Sequence, residues 1–188
     1  MTEYILMEDV EYRVVLLLDA GACDYYTDVY IKLIFAEKSI VLFKDNLLAL
    51  KNIVEHYDKG VCSLDSTLDE EKIGLLLNEY YRCLYEEQTQ ENIILNNQGQ
   101  WIGEKYCCFV GLNYATWLYV YAGKVIMKVT PIFDGFEEDD FTKEYSEFVK
   151  TYEDIIKKTV SLQQLRKMRQ IILKLYYSIF SPKNLLEN

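Results

Sequence analysis

Residues 100–133 constrain the fold most, because three apolar runs are separated there by only two short turn signals. The third run alternates with a period of two, which places Val125, Met127 and Val129 on one face of a strand and the lysines on the other. A strand with one dry and one wet face is typical of an antiparallel sheet that is covered on one side. With turns at 111–113 and 122–123, the stretch predicts a three-stranded meander.

The first third of the chain predicts more strands and then a helix. Strands are expected at 3–7, 11–19, 28–35 and 39–43, where apolar and branched residues concentrate. Asp45 is expected to cap the following helix, and Gly60 is expected to stop it.

The remaining chain predicts a second helix over 69–87, a short strand over 91–95, and two helices after the meander, over 141–160 and 162–180, the last capped by Ser161. The predicted fold class is α+β: antiparallel β-meander sheet(s) packed against helices, with a C-terminal helical pair, in a single domain of residues 1–188. Residues 28–60 and 115–160 share a hairpin-then-helix pattern. Internal duplication and convergent hairpin chemistry both remain open explanations for it.

Charge argues against several classes of partner. The 188 residues include 30 acids and 20 bases, a net charge of −10, with the excess of bases confined to the last 38 residues. Such a surface repels phosphates, so we expect no nucleic-acid partner. No apolar run is long enough to span a bilayer, and the first residues lack the basic start of a secretory signal. We therefore expect no membrane partner and a cytoplasmic protein.

Residues that carry common chemistry are scarce. There are 5 cysteines without a CxxC pair, and His56 is the one histidine. A zinc site needs more ligands than this pattern offers, and the cysteines are expected to be reduced thiols that pack as small hydrophobes. No phosphate-binding, metalloprotease or serine-hydrolase motif occurs. We predict no catalytic residue, no metal and no cofactor.

Tyrosine is abundant, with 17 residues, and it often stands near acids. Half-buried packing explains many of these rings, but tyrosine is also enriched at protein interfaces, where acids can steer a basic partner. The acids at 69–71 have a further explanation, since a helix N-terminus favours negative charge. The candidate partner-binding residues are Tyr25, Tyr26, Asp28, Asp69, Glu70, Glu71, Glu137, Glu138, Asp139 and Asp140.

In size, acidity and α+β composition, the chain resembles the small immunity proteins with which bacteria neutralise their own toxins. The resemblance implies a non-catalytic inhibitor that occludes a basic toxin-like domain, with acidic side chains mimicking phosphates. Two alternatives remain open. The basic final helix indicates a self-associating subunit, in the simplest case a homodimer, and the many carboxylates allow an enzyme or ligand site assembled from dispersed residues.

Overall fold

The computed structural model describes residues 1–19, 21, 24, 26–57, 60–87, 91–136 and 141–179. The chain forms two compact units, and each contains one four-stranded antiparallel sheet. Unit 1 comprises residues 1–60 and 160–188, and unit 2 comprises residues 61–159. The predicted α+β class is therefore confirmed. Among the helices described, none is both long and apolar enough to cross a membrane.

The helices and strands follow one another in a simple order. They are β1 (Thr2–Glu8), β2 (Tyr12–Leu18), β3 (Asp28–Phe35), β4 (Lys38–Asn46), α1 (Leu47–His56), α2 (Ile73–Tyr85), a 3-10 turn (Glu104–Tyr106), β5 (Cys107–Val110), β6 (Tyr114–Tyr121), β7 (Lys124–Pro131), α3 (Phe141–Lys150), β8 (Ile156–Thr159) and α4 (Leu162–Ile179).

Unit 1 is a meander in the order β1-β2-β3-β4, with α4 packed against β1 and α1. The alternation in β3 is confirmed, because Val29, Ile31 and Leu33 are fully buried whereas the residues between them are half-buried. β3 and β4 are joined by the two-residue turn Ala36–Glu37, in which both residues have positive φ. This conformation matches the twist of a hairpin but is costly for residues other than glycine.

The helix caps of unit 1 partly differ from the sequence prediction. α1 is capped by Asn46, whose side chain accepts a hydrogen bond from the Ala49 N–H at 2.9 Å. The prediction that Asp45 caps this helix is wrong, because Asp45 lies in β4 and its carboxylate accepts a hydrogen bond from the Asn46 N–H. Ser161 caps α4 as predicted: its hydroxyl accepts from the Gln164 N–H, and the Gln164 side chain accepts from the Ser161 N–H. The reciprocal pair is a capping box.

Unit 2 is a meander in the order β5-β6-β7-β8, and the three predicted strands are its first three. The prediction of a wet face on β7 is wrong, because Lys128 and Thr130 are fully buried along with Met127 and Val129. α2 lies against β7 at Gly74, where an added Cβ would come within 2.5 Å of the Thr130 side chain. The Trp117 indole N–H donates to the Thr130 hydroxyl at 2.9 Å, so this face is a polar core.

Three other boundaries in unit 2 differ from prediction. The second helix begins at Ile73, because residues 65–72 form hydrogen-bonded turns rather than a helical first turn. The predicted strand at 91–95 is reduced to one bridge between Leu95 and Trp101. The predicted helix 141–160 ends at Lys150, and Ile156–Thr159 is an edge strand that pairs with β7.

Residues 28–60 and 115–160 both contain a hairpin followed by a helix, as their shared pattern predicted.

Candidate functional site

One exposed apolar surface of unit 2 lies where α2 ends and α3 begins. We call it the α2–α3 face and define it by Leu84, Tyr85, Phe136 and Phe141. Leu84 is 58% exposed and Tyr85 is 52% exposed. The Tyr85 ring packs edge-on against Phe141, with centroids 5.1 Å apart, and it lies 5.9 Å from Phe136. A large, partly exposed aromatic surface of this kind is typical of a protein contact.

The extent of the core explains why these side chains are exposed. α2 buries Ile73, Leu77 and Tyr80 along one stripe, and Leu84 continues that stripe, but the last turn of the helix lies beyond the core, so Leu84 and Tyr85 remain exposed. Phe136 is held against Phe133, with ring centroids 4.9 Å apart, so the segment before α3 is fixed to the core of unit 2.

Charged groups fix the two helices beneath this face. Arg82 on α2 pairs with Glu79 at 2.5 Å and with Glu86 at 2.7 Å, and its guanidinium lies 5.6 Å from the centre of the Tyr145 ring on α3. The Tyr145 hydroxyl donates to Glu79 at 2.8 Å, and burial together with this carboxylate raises the pKa of Tyr145. The face is therefore preorganised by hydrogen bonds that are already satisfied.

Exposed carboxylates border the face. Glu87, Asp134 and Glu144 are exposed, and no base pairs with them among the described residues. The predicted cluster Glu137, Glu138, Asp139 and Asp140 falls between Phe136 and Phe141 in sequence but lies outside the described residues. An exposed apolar centre with an acidic border suits a partner whose contact surface is basic and partly apolar.

The remaining predicted site residues fall in two places. In unit 1, Tyr26 and Asp28 are exposed at the start of β3, while Tyr25 lies outside the described residues. In unit 2, Asp69 and Glu71 are exposed in the turn before α2. Asp69 pairs with Lys72 at 3.4 Å and accepts from the Glu71 N–H at 3.1 Å, so its carboxylate is partly occupied.

Glu70 is different, because it is buried at 4% exposure. Its carboxylate accepts from the Tyr119 hydroxyl at 2.5 Å and from the Lys157 ammonium. Burial opposes the ionisation of Glu70, but the hydrogen bonds from Lys157 and Tyr119 and the charge of Lys128 outweigh it, so the pKa of Glu70 is lowered. The prediction that Glu70 is a partner-binding residue is untested, but a macromolecule would have little direct access to its side chain.

Lys128 completes this buried network. Its ammonium donates to the backbone oxygens of Glu70 and Glu71 at 3.0 and 3.1 Å and pairs with Asp154 at 2.9 Å. An ammonium has three donors, and three acceptors surround this one. The network joins β7 to the turn before α2 and to the segment before β8, so it holds unit 2 together.

The enzyme alternative would be favoured by a deep pocket lined by carboxylates with raised pKa values. The pKa values of Asp65 and Glu70 are instead lowered. A concavity of about 380 Å³ beside Trp101 offers only Glu104 as a carboxylate. Within the described chain, no three metal-ligating side chains converge.

The prediction that the cysteines pack as small hydrophobes is met only in part. Cys83 is buried, Cys107 and Cys108 are half-buried and Cys62 is exposed, and Cys23 lies outside the described residues. Burial raises the pKa of Cys107 to about 12 and raises that of Cys108 as well, so both remain protonated near neutral pH. Protonated thiols are weak nucleophiles.

Sequence reasoning misses the α2–α3 face because helical spacing places Leu84 on the apolar stripe of the second helix, where burial is expected. The available signal was the order of residues in 84–87, two large apolar side chains followed by two acids at a helix end. It also missed Lys128, whose signal was a lysine inside a run of branched residues.

Comparison with known proteins identifies no relative of the chain. No family model, no curated protein and no solved structure matches the chain. A functional argument therefore depends on the surfaces of the two units themselves.

Proposed function

We propose that this protein is a non-catalytic binding module that inhibits a basic protein partner, in the manner of an immunity protein that occludes a toxin domain. The observation that carries the proposal is the α2–α3 face, a partly exposed aromatic surface bordered by exposed carboxylates for which the described residues provide no ion-pair partner. The partner we propose has a cationic surface with an apolar centre.

Charge distribution supports a location on unit 2. Unit 1 has 12 acids and 11 bases, whereas unit 2 has 18 acids and 9 bases, which is a net charge of −9 for unit 2 and −1 for unit 1. A field of one sign speeds the encounter with an oppositely charged partner and is screened by salt. We expect association to slow as ionic strength rises.

Affinity would come from the aromatic centre rather than from the acids. Exposed charge pairs contribute about 0–1 kcal/mol each, because solvent screens them. A tyrosine that becomes fully buried in an interface is often a residue whose truncation costs about 2 kcal/mol or more. Tyr85 is the candidate for that role, and Phe136 and Phe141 hold its ring in position.

The test compares wild type with two double variants that are substituted in unit 2. Each protein is immobilised, an extract of the cells that make the protein is passed over it, and the retained proteins are identified. Leu84→Ser with Tyr85→Ser removes the apolar centre of the α2–α3 face. Val110→Ser with Leu112→Ser removes similarly exposed apolar side chains from the β5–β6 turn and serves as the matched control. The retained protein is then purified, and its association rate is measured at several salt concentrations.

We expect wild type and the β5–β6 control to retain the same cationic protein, and the Leu84/Tyr85 variant to lose it by a factor of 30 or more, the equivalent of about 2 kcal/mol. Equal retention by both variants would contradict the proposal. So would a retained partner of acidic surface, or an association rate that is indifferent to salt.

Self-association through α4 is a second proposal, favoured by the exposure of Leu162 and Tyr177 on a helix that also carries Arg166 and Lys167. A symmetric dimer would bury these residues against a second copy. Light scattering at tens of micromolar, a concentration in the range for weak interfaces, checks this: a monomeric mass rules it out.

A further inference from the structure

The four-stranded sheet of unit 1 has one buried face and one outer face. Val29, Ile31 and Leu33 of β3 are buried together with the residues opposite them on β2, which places α1 and α4 on that side of the sheet. Residues paired directly across an antiparallel ladder share a face. On the outer face, one row across the four strands therefore consists of Glu3, Leu17, Tyr30 and Lys44.

The centre of the outer face is apolar. Its apolar side chains are Ile5, Val15, Leu17, Tyr30, Ile34 and Val41. Val15 is buried and Val41 is 36% exposed, while the other four are half-buried. The solvated face of an antiparallel sheet is normally polar, and an apolar centre with charged residues around it marks a contact surface.

The edges of this sheet suit a partner less well than its outer face does. β1 has an extra residue at Leu6 and β4 has one at Leu42, where the pairing with the neighbouring strand shifts. Such bulges bend an edge strand and interrupt the row of backbone groups to which another strand would bond. We therefore expect a partner to lie against the outer face.

Charges at the two ends of one row determine which partner fits. Glu3 lies on β1 and Lys44 on β4, at opposite ends of the row, and both are exposed. Neither has an ion-pair partner among the described residues, and the Lys44 ammonium lies 5.7 Å from the centre of the Tyr30 ring. A surface with opposite charges at opposite ends of an apolar centre is complementary to a copy of itself.

One two-fold arrangement brings these opposite charges together. A half-turn about an axis parallel to the strands lays β1 of one copy over β4 of the other, so that Glu3 faces the second copy's Lys44 twice. Stacked sheets lie about 10 Å apart, which the two long side chains can span together. A half-turn about an axis across the strands would instead bring Glu3 towards Glu8 and Lys32 onto Lys32, which like charges disfavour.

The size of the outer face suits a weak dimer. Four strands about 4.8 Å apart and seven residues of about 3.4 Å each give a flat area of about 450 Å² per copy. A standard interface buries about 800 Å² per partner. Side chains add relief to the flat area, so the contact falls at the small end of specific interfaces, and we expect micromolar affinity.

We propose that the outer face of the unit 1 sheet binds a second copy of this chain, in a two-fold dimer that stacks the two sheets. This contact uses neither the α2–α3 face nor α4. Each of the three proposals can therefore fail without the others.

The test is sedimentation equilibrium of the full-length protein between about 1 and 500 µM, the range in which weak interfaces dissociate. We expect the mass of wild type to rise from that of a monomer towards that of a dimer. Lys44→Glu sets two pairs of like charges against each other and should weaken the dimer about tenfold, and Glu3→Lys should do the same. The double variant with both substitutions restores opposite charges and should dimerise like wild type.

The matched control is Lys38→Glu. It changes the net charge of the protein as much as Lys44→Glu does, but Lys38 is opposite Phe35 and so lies on the other side of β4. We expect it to dimerise like wild type. Glu3, Lys38 and Lys44 are all exposed, so their substitution should leave the fold intact, which circular dichroism verifies.

Three results would overturn the proposal. A monomeric mass at every concentration would mean that a different molecule, or none, occupies the outer face. A dimer that Lys44→Glu weakens no more than Lys38→Glu does would assign the contact to another surface, and loss of that dimer in Leu162→Ser with Tyr177→Ser would identify α4. A double variant that dimerises no better than either single variant would contradict the two-fold pairing of Glu3 with Lys44.

Discussion

The two sheets are built from the same kind of meander, yet their interiors differ. In unit 1 the buried face of β3 is apolar throughout, and Lys32 on the other face is half-buried. In unit 2, β7 has a similar alternation, but Lys128 is fully buried in a network with Asp154. The same period of two therefore describes a strand covered on one face in unit 1 and a strand buried on both faces in unit 2.

The difference arises from what covers each strand. α2 approaches β7 closely at Gly74, where the absence of a Cβ leaves room for Thr130. The turn before α2 then lies over Lys128 and supplies two backbone oxygens as acceptors. A long aliphatic stem can be buried when its charged end meets such acceptors, so a lysine in an alternating strand does not by itself indicate a solvated face.

The largest expected effect tests this network. Lys128→Ala leaves Asp154 and two backbone oxygens without their donor and should lower the free energy of unfolding by about 3–5 kcal/mol. Lys124→Ala, at the exposed start of the same strand, should change it by less than about 0.5 kcal/mol. Urea unfolding followed by tryptophan fluorescence checks this, because Trp101 and Trp117 both lie in unit 2. A small loss for Lys128→Ala would mean that the network contributes little.

The second largest expected effect is the loss of stability of unit 2 as pH falls. The pKa of Glu70 is lowered in the folded protein below its ordinary 4.5, so unfolding in acid takes up a proton. The stability due to Glu70 is therefore complete above that ordinary value and is lost as pH falls through the lower folded pKa. The measurement is the urea midpoint between pH 3 and 6, a window around that ordinary value.

Two substitutions isolate the contribution of Glu70 to this acid response. Glu70→Gln should flatten the acid dependence of the midpoint and lower it at neutral pH. The exposed neighbour offers the control, since Glu71→Gln should keep the slope of wild type. A wild-type slope in Glu70→Gln would assign the acid response to other carboxylates.

A smaller effect distinguishes the two hairpin turns. Ala36–Glu37 and Ala122–Gly123 both have positive φ at each residue, but only the second turn has a glycine. A side chain in this conformation costs roughly 1–2 kcal/mol relative to glycine. Glu37→Gly should therefore stabilise the protein by about 1 kcal/mol, and Gly123→Ala should destabilise it by a similar amount. Thermal unfolding measures both, and a loss of stability in Glu37→Gly would contradict the argument.

The smallest expected effect is the difference between the unfolding midpoint of unit 2 and that of the whole chain. A single folding domain, as predicted from the sequence, requires both units to unfold in one transition. Tryptophan fluorescence, which reports on unit 2, and far-ultraviolet circular dichroism, which reports on the whole chain, should then give the same midpoint. If the fluorescence and circular dichroism midpoints differ, and if Lys128→Ala increases the difference, the two units are independent folding domains.

Local signals in the sequence predicted most of the strands. Val29, Ile31 and Leu33 alternate clearly, and the turn at 122–123 contains the expected glycine, so β3, β6 and β7 follow from pattern alone. Ser161 followed by Gln164 likewise predicts the start of α4. These features depend on neighbours within a few residues.

The larger errors depend on contacts between residues far apart in the chain, whereas the cap of α1 and the start of α2 differ from prediction only locally. Ile156–Thr159 is a strand because β7 offers a free edge to it, and nothing in its own four residues distinguishes it from a helix end. Glu70 is buried because Tyr119 and Lys157 reach it from β6 and β8. The α2–α3 face likewise requires knowing which turn of α2 lies beyond the core.

The Lys128–Asp154 pair constrains how the sequence can evolve. Because loss of one partner leaves the other charge without its counter-ion, single substitutions at either position are costly. Joint replacement by apolar residues of similar volume removes both charges and costs less, since only the backbone oxygens of Glu70 and Glu71 then lose their donor. Descendants of this chain should therefore keep both residues or exchange both. A lineage that had lost the aspartate should carry methionine or leucine in place of the lysine.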